Sequence, residues 1–97
     1  MKAIFIAYNQ ALTEAVNTIL DRHHVRGYTK WADVQGRGTH TGEPHYGNHT
    51  WPAMNTAVLA ITEEERVEPL LASLKKLDSK TEQQGLRAFI WNIEGAL

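Results

Sequence analysis

The sequence has no cysteine, and this absence removes several classes of site. A disulfide framework, a thiolate zinc site and a cysteine nucleophile are all excluded. Neither sign of charge is in clear excess, because ten basic and eleven acidic residues leave a formal net charge of −1. Nucleic-acid affinity depends on clustered Lys and Arg that neutralise phosphates, so this balance argues against a nucleic-acid partner.

Long hydrophobic runs are also missing. The apolar run near the start, Ala3 to Tyr8, is too short for the core of a signal peptide. Nothing approaches the roughly 20 apolar residues of a membrane span. We therefore expect a cytoplasmic protein that is not embedded in a membrane. A chain of 97 residues suffices for one hydrophobic core, so residues 1–97 are expected to form a single domain.

Hydrophobic periodicity predicts four strands and the first of two helices. Short apolar and aromatic runs predict strands over residues 2–8, 28–34, 55–61 and 86–93. Between the first two strands, apolar residues at helical spacing predict an amphipathic helix over 12–22.

A second helix is predicted to open at Thr62, because Glu65 follows at the spacing of a capping box. Pro69 then lies either in the first turn of the helix or at a kink. The resulting order, β-α-β-β-α-β, predicts an α+β fold, the ferredoxin-like sandwich, with an antiparallel sheet and both helices on one face.

Both faces of this sheet are predicted to be apolar. Phe5 alternates with Ile4 and Ile6 in the first strand, and Phe89 alternates with Ile90 in the last. Two helices cover only one face, and each large apolar side chain left in water forgoes roughly 1.5–3 kcal/mol of burial. Large exposed apolar patches usually mark interfaces, so we expect a homo-oligomer.

A long polar loop separates the second and third strands. The stretch Val34–Pro52, "VQGRGTHTGEPHYGNHTWP", holds four of the seven glycines and three of the five histidines. Its Gly-x-Gly is by itself weak evidence of phosphate binding, because glycine is the usual residue wherever a turn needs positive φ.

The sequence around the start of this loop resembles the P-II family of trimeric signalling proteins. The segment "GYTKWADVQGRGTHTGE" is similar to the strand that enters the family's T-loop, with the acidic-aliphatic pair Asp33-Val34 followed by Gly36 and Gly38. The opening "MKAIFIAY" and the later "GLRAFIWNIEG" fit the same frame. The resemblance implies a ferredoxin-like homotrimer with a T-loop-like segment at about 36–54, which docks onto a target protein such as a transporter, enzyme or regulator.

The resemblance also implies nucleotide binding in clefts between neighbouring subunits. The positions that match the family's ligand-binding motifs are Gly36, Arg37, Gly38, His40, Gly85 and Arg87. The glycines at the T-loop base let the backbone approach the ligand, and Arg87 stands in place of a phosphate-binding Lys. His40 replaces the Gln that helps the nitrogen regulators hold a magnesium-linked 2-oxoglutarate.

Two segments depart from the family pattern. The run "QQGL" stands where the family has Gly-Asp-Gly before its Lys, and the family's basic C-terminal segment has no counterpart up to Leu97. We therefore expect the fold and the trimer to carry over better than ATP and 2-oxoglutarate binding. An adenine nucleotide is one candidate effector.

The loop histidines suggest an alternative function. His40, Glu43, His45 and His49 carry nitrogen and oxygen donors that suit Zn, Cu or Ni. On this interpretation the chain is a transition-metal-binding protein of metal homeostasis. The spacings match no established metal motif, so solvated histidines in a polar loop are the competing interpretation.

Tyr46 and Trp51 are the candidate partner-contacting residues of the loop, because Tyr and Trp are enriched at interfaces. Packing of Trp51 in the trimer core, or a loop with purely structural contacts, is the other interpretation. The sequence offers no nucleophile with an apparent base, and the Glu63–Glu65 run is typical of a solvated helix start. We therefore expect a protein that is not an enzyme.

Overall fold

The computed structural model describes residues 1–37, 44–48, 53–80 and 85–97. The elements are β1 (Lys2–Asn9), α1 (Thr13–Arg22), β2 (Tyr28–Val34), β3 (Asn55–Thr62), α2 (Val67–Lys80) and β4 (Arg87–Asn92). A short 3₁₀ turn precedes each helix, at Gln10–Leu12 and at Glu64–Arg66. Within these described ranges, no helix is long and apolar enough to cross a membrane.

The four strands form one antiparallel sheet in the order β2-β3-β1-β4. Helix α1 links β1 to β2, and α2 links β3 to β4, so each crossover passes over one intervening strand. This is the ferredoxin-like arrangement, and the predicted fold class is confirmed.

The hydrophobic core lies between the sheet and the two helices. Ile4, Ile6 and Tyr8 alternate along β1 and are fully buried there, and Leu20 of α1 and Leu70 of α2 belong to the same cluster. Because strand side chains alternate between faces, every second residue of β1 reaches this core.

The opposite face of the sheet carries an apolar patch that neither α1 nor α2 covers. We call it the outer patch, and it consists of Phe5, Trp31, Ile61, Phe89 and Trp91. Except for Phe5, which is half-buried, these side chains are between 36% and 59% exposed. The register places Phe5 beside Phe89 across the β1–β4 pair. The predicted second apolar face is therefore present in the fold.

The predicted helix cap at Thr62 is wrong. Thr62 is the buried last residue of β3 and pairs with Lys2 of β1, because strand pairing overrides the local capping signal. Glu63 occupies the cap position of the following 3₁₀ turn without a side-chain capping hydrogen bond, and it forms an ion pair with Arg66 at 2.7 Å. Pro69 lies in the first turn of α2, where proline is tolerated.

Candidate functional site

A concavity of about 350 Å³ opens at one end of the outer sheet face. Val34 at the end of β2 pairs with Asn55 at the start of β3, and Arg87 at the start of β4 pairs with Ala7 of β1. All four strands therefore contribute to the same end of the sheet. The concavity is lined by Phe5, Ala7, Val34, Gln35, Gly36, Arg37, Asn55, Ala57, Gly85, Arg87 and Phe89.

The base of the long loop forms an ordered stem beside this concavity. Gly36 and His45 exchange two backbone hydrogen bonds, of 2.9 and 2.6 Å between N and O. The Gln35 side-chain amide donates to the Tyr46 carbonyl at 2.8 Å, and the Gly47 N–H donates to the Ala53 carbonyl at 3.0 Å. The stem extends the β2–β3 hairpin and holds one wall of the concavity in place.

Gly36 lies in direct contact with a buried polar pair. A Cβ atom at Gly36 would overlap the side-chain nitrogen of Asn55, so any larger residue at this position would displace the Asn55 side chain. The Asn55 Oδ1 atom lies 2.6 Å from Nδ1 of His45, and both residues are buried. Because a carboxamide oxygen only accepts hydrogen bonds, His45 donates from Nδ1 in this contact.

The same imidazole connects the loop stem with the approach to β4. Gly85 has φ of +68°, and a Cβ atom there would lie 3.5 Å from Cε1 of His45. A positive φ strains the backbone of most residues that carry a side chain, and glycine adopts it without strain. His45 therefore packs between Asn55 and the Gly85 turn that leads into β4.

The concavity has a cationic rim and an apolar wall. Among the described residues that line it, Arg37 and Arg87 are cationic and none is acidic. The Nη1 atom of Arg87 donates to the Leu86 carbonyl at 2.7 Å. Phe5 and Phe89 form the apolar wall. Guanidinium groups match the geometry of phosphate oxygens, so this lining suits an anionic ligand with a flat apolar part.

The structure brings together four of the six residues predicted to bind ligand. Gly36, Arg37, Gly85 and Arg87 all line the concavity. Gly38 and His40, the other two, lie outside the described residues.

The metal and partner predictions fall largely outside the described ranges. Glu43, His49 and Trp51 are not described, and within the residues that are, no three His, Cys, Asp or Glu side chains form a cluster that could hold a metal ion. His45 is buried against Asn55. Tyr46 is half-buried and holds the stem through its carbonyl. The metal-binding alternative stays a prediction.

Sequence reasoning missed the role of Asn55 in the site and the backbone conformation of Asp33. Asn55 was assigned only as the start of a strand, although a buried amide at the head of an apolar strand is a signal of a specific polar contact. Asp33 has φ of +55° at a register shift between Trp31 and Val34. Val34, the next residue, lines the concavity, and Asp is among the few residues that tolerate this conformation.

Comparison with known proteins by sequence and comparison by structure point to the same family. The sequence pattern of the family described as nitrogen regulatory protein P-II matches residues 1–96. CPII, a nitrogen regulatory PII-like protein from Thiomonas intermedia K12 bound to ADP, AMP and bicarbonate, is 26% identical, with a TM-score of 0.73 over 95% of this chain and 88% of that one. Its complex with ADP and bicarbonate gives 27% identity and a TM-score of 0.75, over 95% and 84%.

A structure described as a PII-like signalling protein from Thermus thermophilus has the same fold. It is 20% identical, with a TM-score of 0.68 over 95% of this chain and 85% of that one. No curated protein sequence matches the chain. Since the family pattern spans nearly the whole sequence and the Thiomonas PII-like protein shares its fold, the chain belongs to the nitrogen regulatory protein P-II family.

Proposed function

We propose that this chain is a non-enzymatic regulator that binds an anionic adenine nucleotide in the concavity and signals to a partner protein through the 36–54 loop. The observation that carries the proposal is the convergence of Gly36, Arg37, Gly85 and Arg87 around one recess without an acidic lining residue among those described. A cytoplasmic location stays a prediction from the sequence.

The lining and the relatives together support a nucleotide as the effector. Arg37 and Arg87 supply charge for phosphate groups, while Phe5 and Phe89 offer an apolar surface to a purine ring. ADP and AMP are bound in the structure of the Thiomonas protein, which supports the same ligand class here. Bicarbonate, present in that structure, is the candidate co-ligand.

The outer patch supports a homotrimer whose subunit contacts complete the site. P-II family proteins are typically trimers that act on target proteins. Phe5 and Phe89 belong to the outer patch and also line the concavity. A second subunit that covered the patch would therefore convert the open concavity into a cleft between subunits, with less water around the ligand charges.

The loop stem supports a signalling route from the cleft to the loop. Gly36 lines the concavity and is paired through backbone hydrogen bonds with His45 on the returning side of the stem. A ligand that contacts Gly36 would therefore favour one arrangement of the stem. The loop would then shift between populations that present or withdraw a partner surface.

Native mass spectrometry and isothermal titration calorimetry test this proposal. We expect a trimer that binds ADP or AMP, titrated with and without bicarbonate. Arg87→Gln should weaken binding about 10- to 100-fold, because a charge-assisted hydrogen bond contributes about 1.5–3 kcal/mol. Arg26→Gln is the matched control, since Arg26 is exposed and precedes the opposite end of β2. Absence of nucleotide binding, or equal affinity in the two variants, would contradict the proposal.

A further inference from the structure

Arg87 lies between two recesses on opposite sides of β4. One is the concavity described above, and the other is a groove of about 300 Å³ between α2 and β4. The groove is lined by Leu71, Leu74, Lys75, Asp78, Leu86, Arg87 and Ala88. Among the described lining residues, Arg87 alone belongs to both recesses. Its guanidinium group can therefore serve an anion on either side.

Asp78 of α2 is the anion on the groove side. Its Oδ1 atom lies 3.9 Å from Nη1 of Arg87, which is close enough for an ion pair and too long for a hydrogen bond. This oxygen is shielded from solvent and has no hydrogen-bond partner among the described residues. Lys75 also lines the groove but forms no ion pair with Asp78 within the part of the chain that is described. Arg87 is thus the cation that Asp78 faces.

We propose that Asp78 sets the anion affinity of the site, because its carboxylate and a bound phosphate compete for the Arg87 guanidinium. The inference rests on the proposed function, since it concerns the same anion site. When Arg87 turns toward a phosphate, the shielded Oδ1 atom loses its counter-charge. That loss subtracts from the free energy of anion binding.

Because of the position of Asp78, this competition also affects the stability of the last turn of α2. Asp78 lies in the last turn of the helix, which ends at Lys80. A carboxylate near a helix C-terminus is unfavourable, because the helix dipole is negative there. Arg87 offsets this charge in the structure. Anion binding at the concavity therefore removes support from the last turn of α2, and a change in that turn alters anion affinity in return.

Calorimetric titration with ADP tests the inference on the full-length protein. Asp78→Asn removes the charge and keeps the shape, so ADP affinity should rise about two- to fivefold, the range expected for a partly exposed ion pair. Glu68→Gln is the matched control, since it makes the same change of net charge at an exposed site in the first turn of α2. ADP affinity should rise less in this control than in Asp78→Asn.

A double variant identifies the route of the effect. Asp78→Asn combined with Arg87→Gln should bind ADP no better than Arg87→Gln alone, because the competing cation is gone. Affinity in Asp78→Asn equal to that in Glu68→Gln, or a gain that persists without Arg87, would overturn the inference and leave the nucleotide site standing. ADP binding absent from wild type and from every variant would overturn the proposed function and the inference together. If thermal melting shows that Asp78→Asn does not fold, Asp78→Ser replaces it.

Discussion

Replacing Gly36 with alanine tests whether the wall of the concavity is built as the structure indicates. The new Cβ atom would overlap the side-chain nitrogen of Asn55 and lie 3.3 Å from its Cγ. Asn55 would have to move, and its 2.6 Å hydrogen bond to His45 would break. The two residues are 8% and 7% exposed, so water cannot readily replace the lost partner.

The expected magnitude follows from these contacts. A buried polar group left without its partner costs about 1–3 kcal/mol. Alanine in place of glycine recovers about 0.4–1 kcal/mol, because it restricts the unfolded chain. We therefore expect Gly36→Ala to lower the free energy of unfolding by about 1–2 kcal/mol. Gly95→Ala is the matched control, since a Cβ atom there meets nothing within 4 Å.

Urea unfolding at fixed protein concentration measures this difference, which should appear as a lower midpoint at an unchanged slope. A double-mutant cycle adds a second test. In an Asn55→Ala background the obstacle is removed, so Gly36→Ala should cost almost nothing further. Wild-type stability in Gly36→Ala, or an undiminished cost in the Asn55→Ala background, would refute the proposed contact.

Three further predictions concern other parts of the fold. Burial raises the pKa of Tyr8 above its ordinary value near 10, so folding favours the neutral phenol. The resulting contribution to the free energy of unfolding is complete below about pH 10 and is lost as the pH rises through the pKa of Tyr8 in the folded state. Tyr8→Phe should therefore flatten the alkaline decline of the free energy of unfolding, and an unchanged pH profile would count against it. Asp33 has φ of +55°, so Asp33→Val should destabilise the protein by about 1–2 kcal/mol while Asp33→Gly should not; urea unfolding distinguishes the two, and equal losses would argue against backbone strain. Phe89 is 59% exposed on the outer patch, so Phe89→Glu should shift the proposed trimer toward monomers in sedimentation. Leu97→Glu, which also replaces an apolar residue with Glu but at the chain end, should not. A Phe89→Glu trimer of normal stability would exclude this patch as the subunit interface.

The strands could be predicted because their signal is local. Alternation of large apolar residues along β1 put Ile4, Ile6 and Tyr8 on one face, and these three side chains are fully buried in the core. The limits predicted for β2, residues 28–34, are those of the structure. The start of α2 was misplaced at Thr62, because a capping pattern carries no information about whether the distant strand β1 will pair with that residue.

Part of the candidate site could be predicted from the sequence, and part could not. Gly36, Arg37, Gly85 and Arg87 could be selected from motif resemblance, because the matching positions stand in the sequence itself. The contact of Asn55 with Gly36 and His45 could not be selected, since it joins residues from the loop and from β3 that meet only after the hairpin closes.

The sequence by itself determined the order of strands and helices, the two apolar faces of the sheet and the glycines at the base of the loop. Each of these depends on the spacing of neighbouring residues, and local sterics and hydrophobicity act at that range. Tertiary structure alone decided that His45 supports the loop stem and that Arg87 lies between the concavity and Asp78. Pairing of β2 with β3 brings the stem to Asn55, and pairing of β4 with β1 places Arg87 at the same end of the sheet, because strand pairing brings together residues that are far apart in the chain.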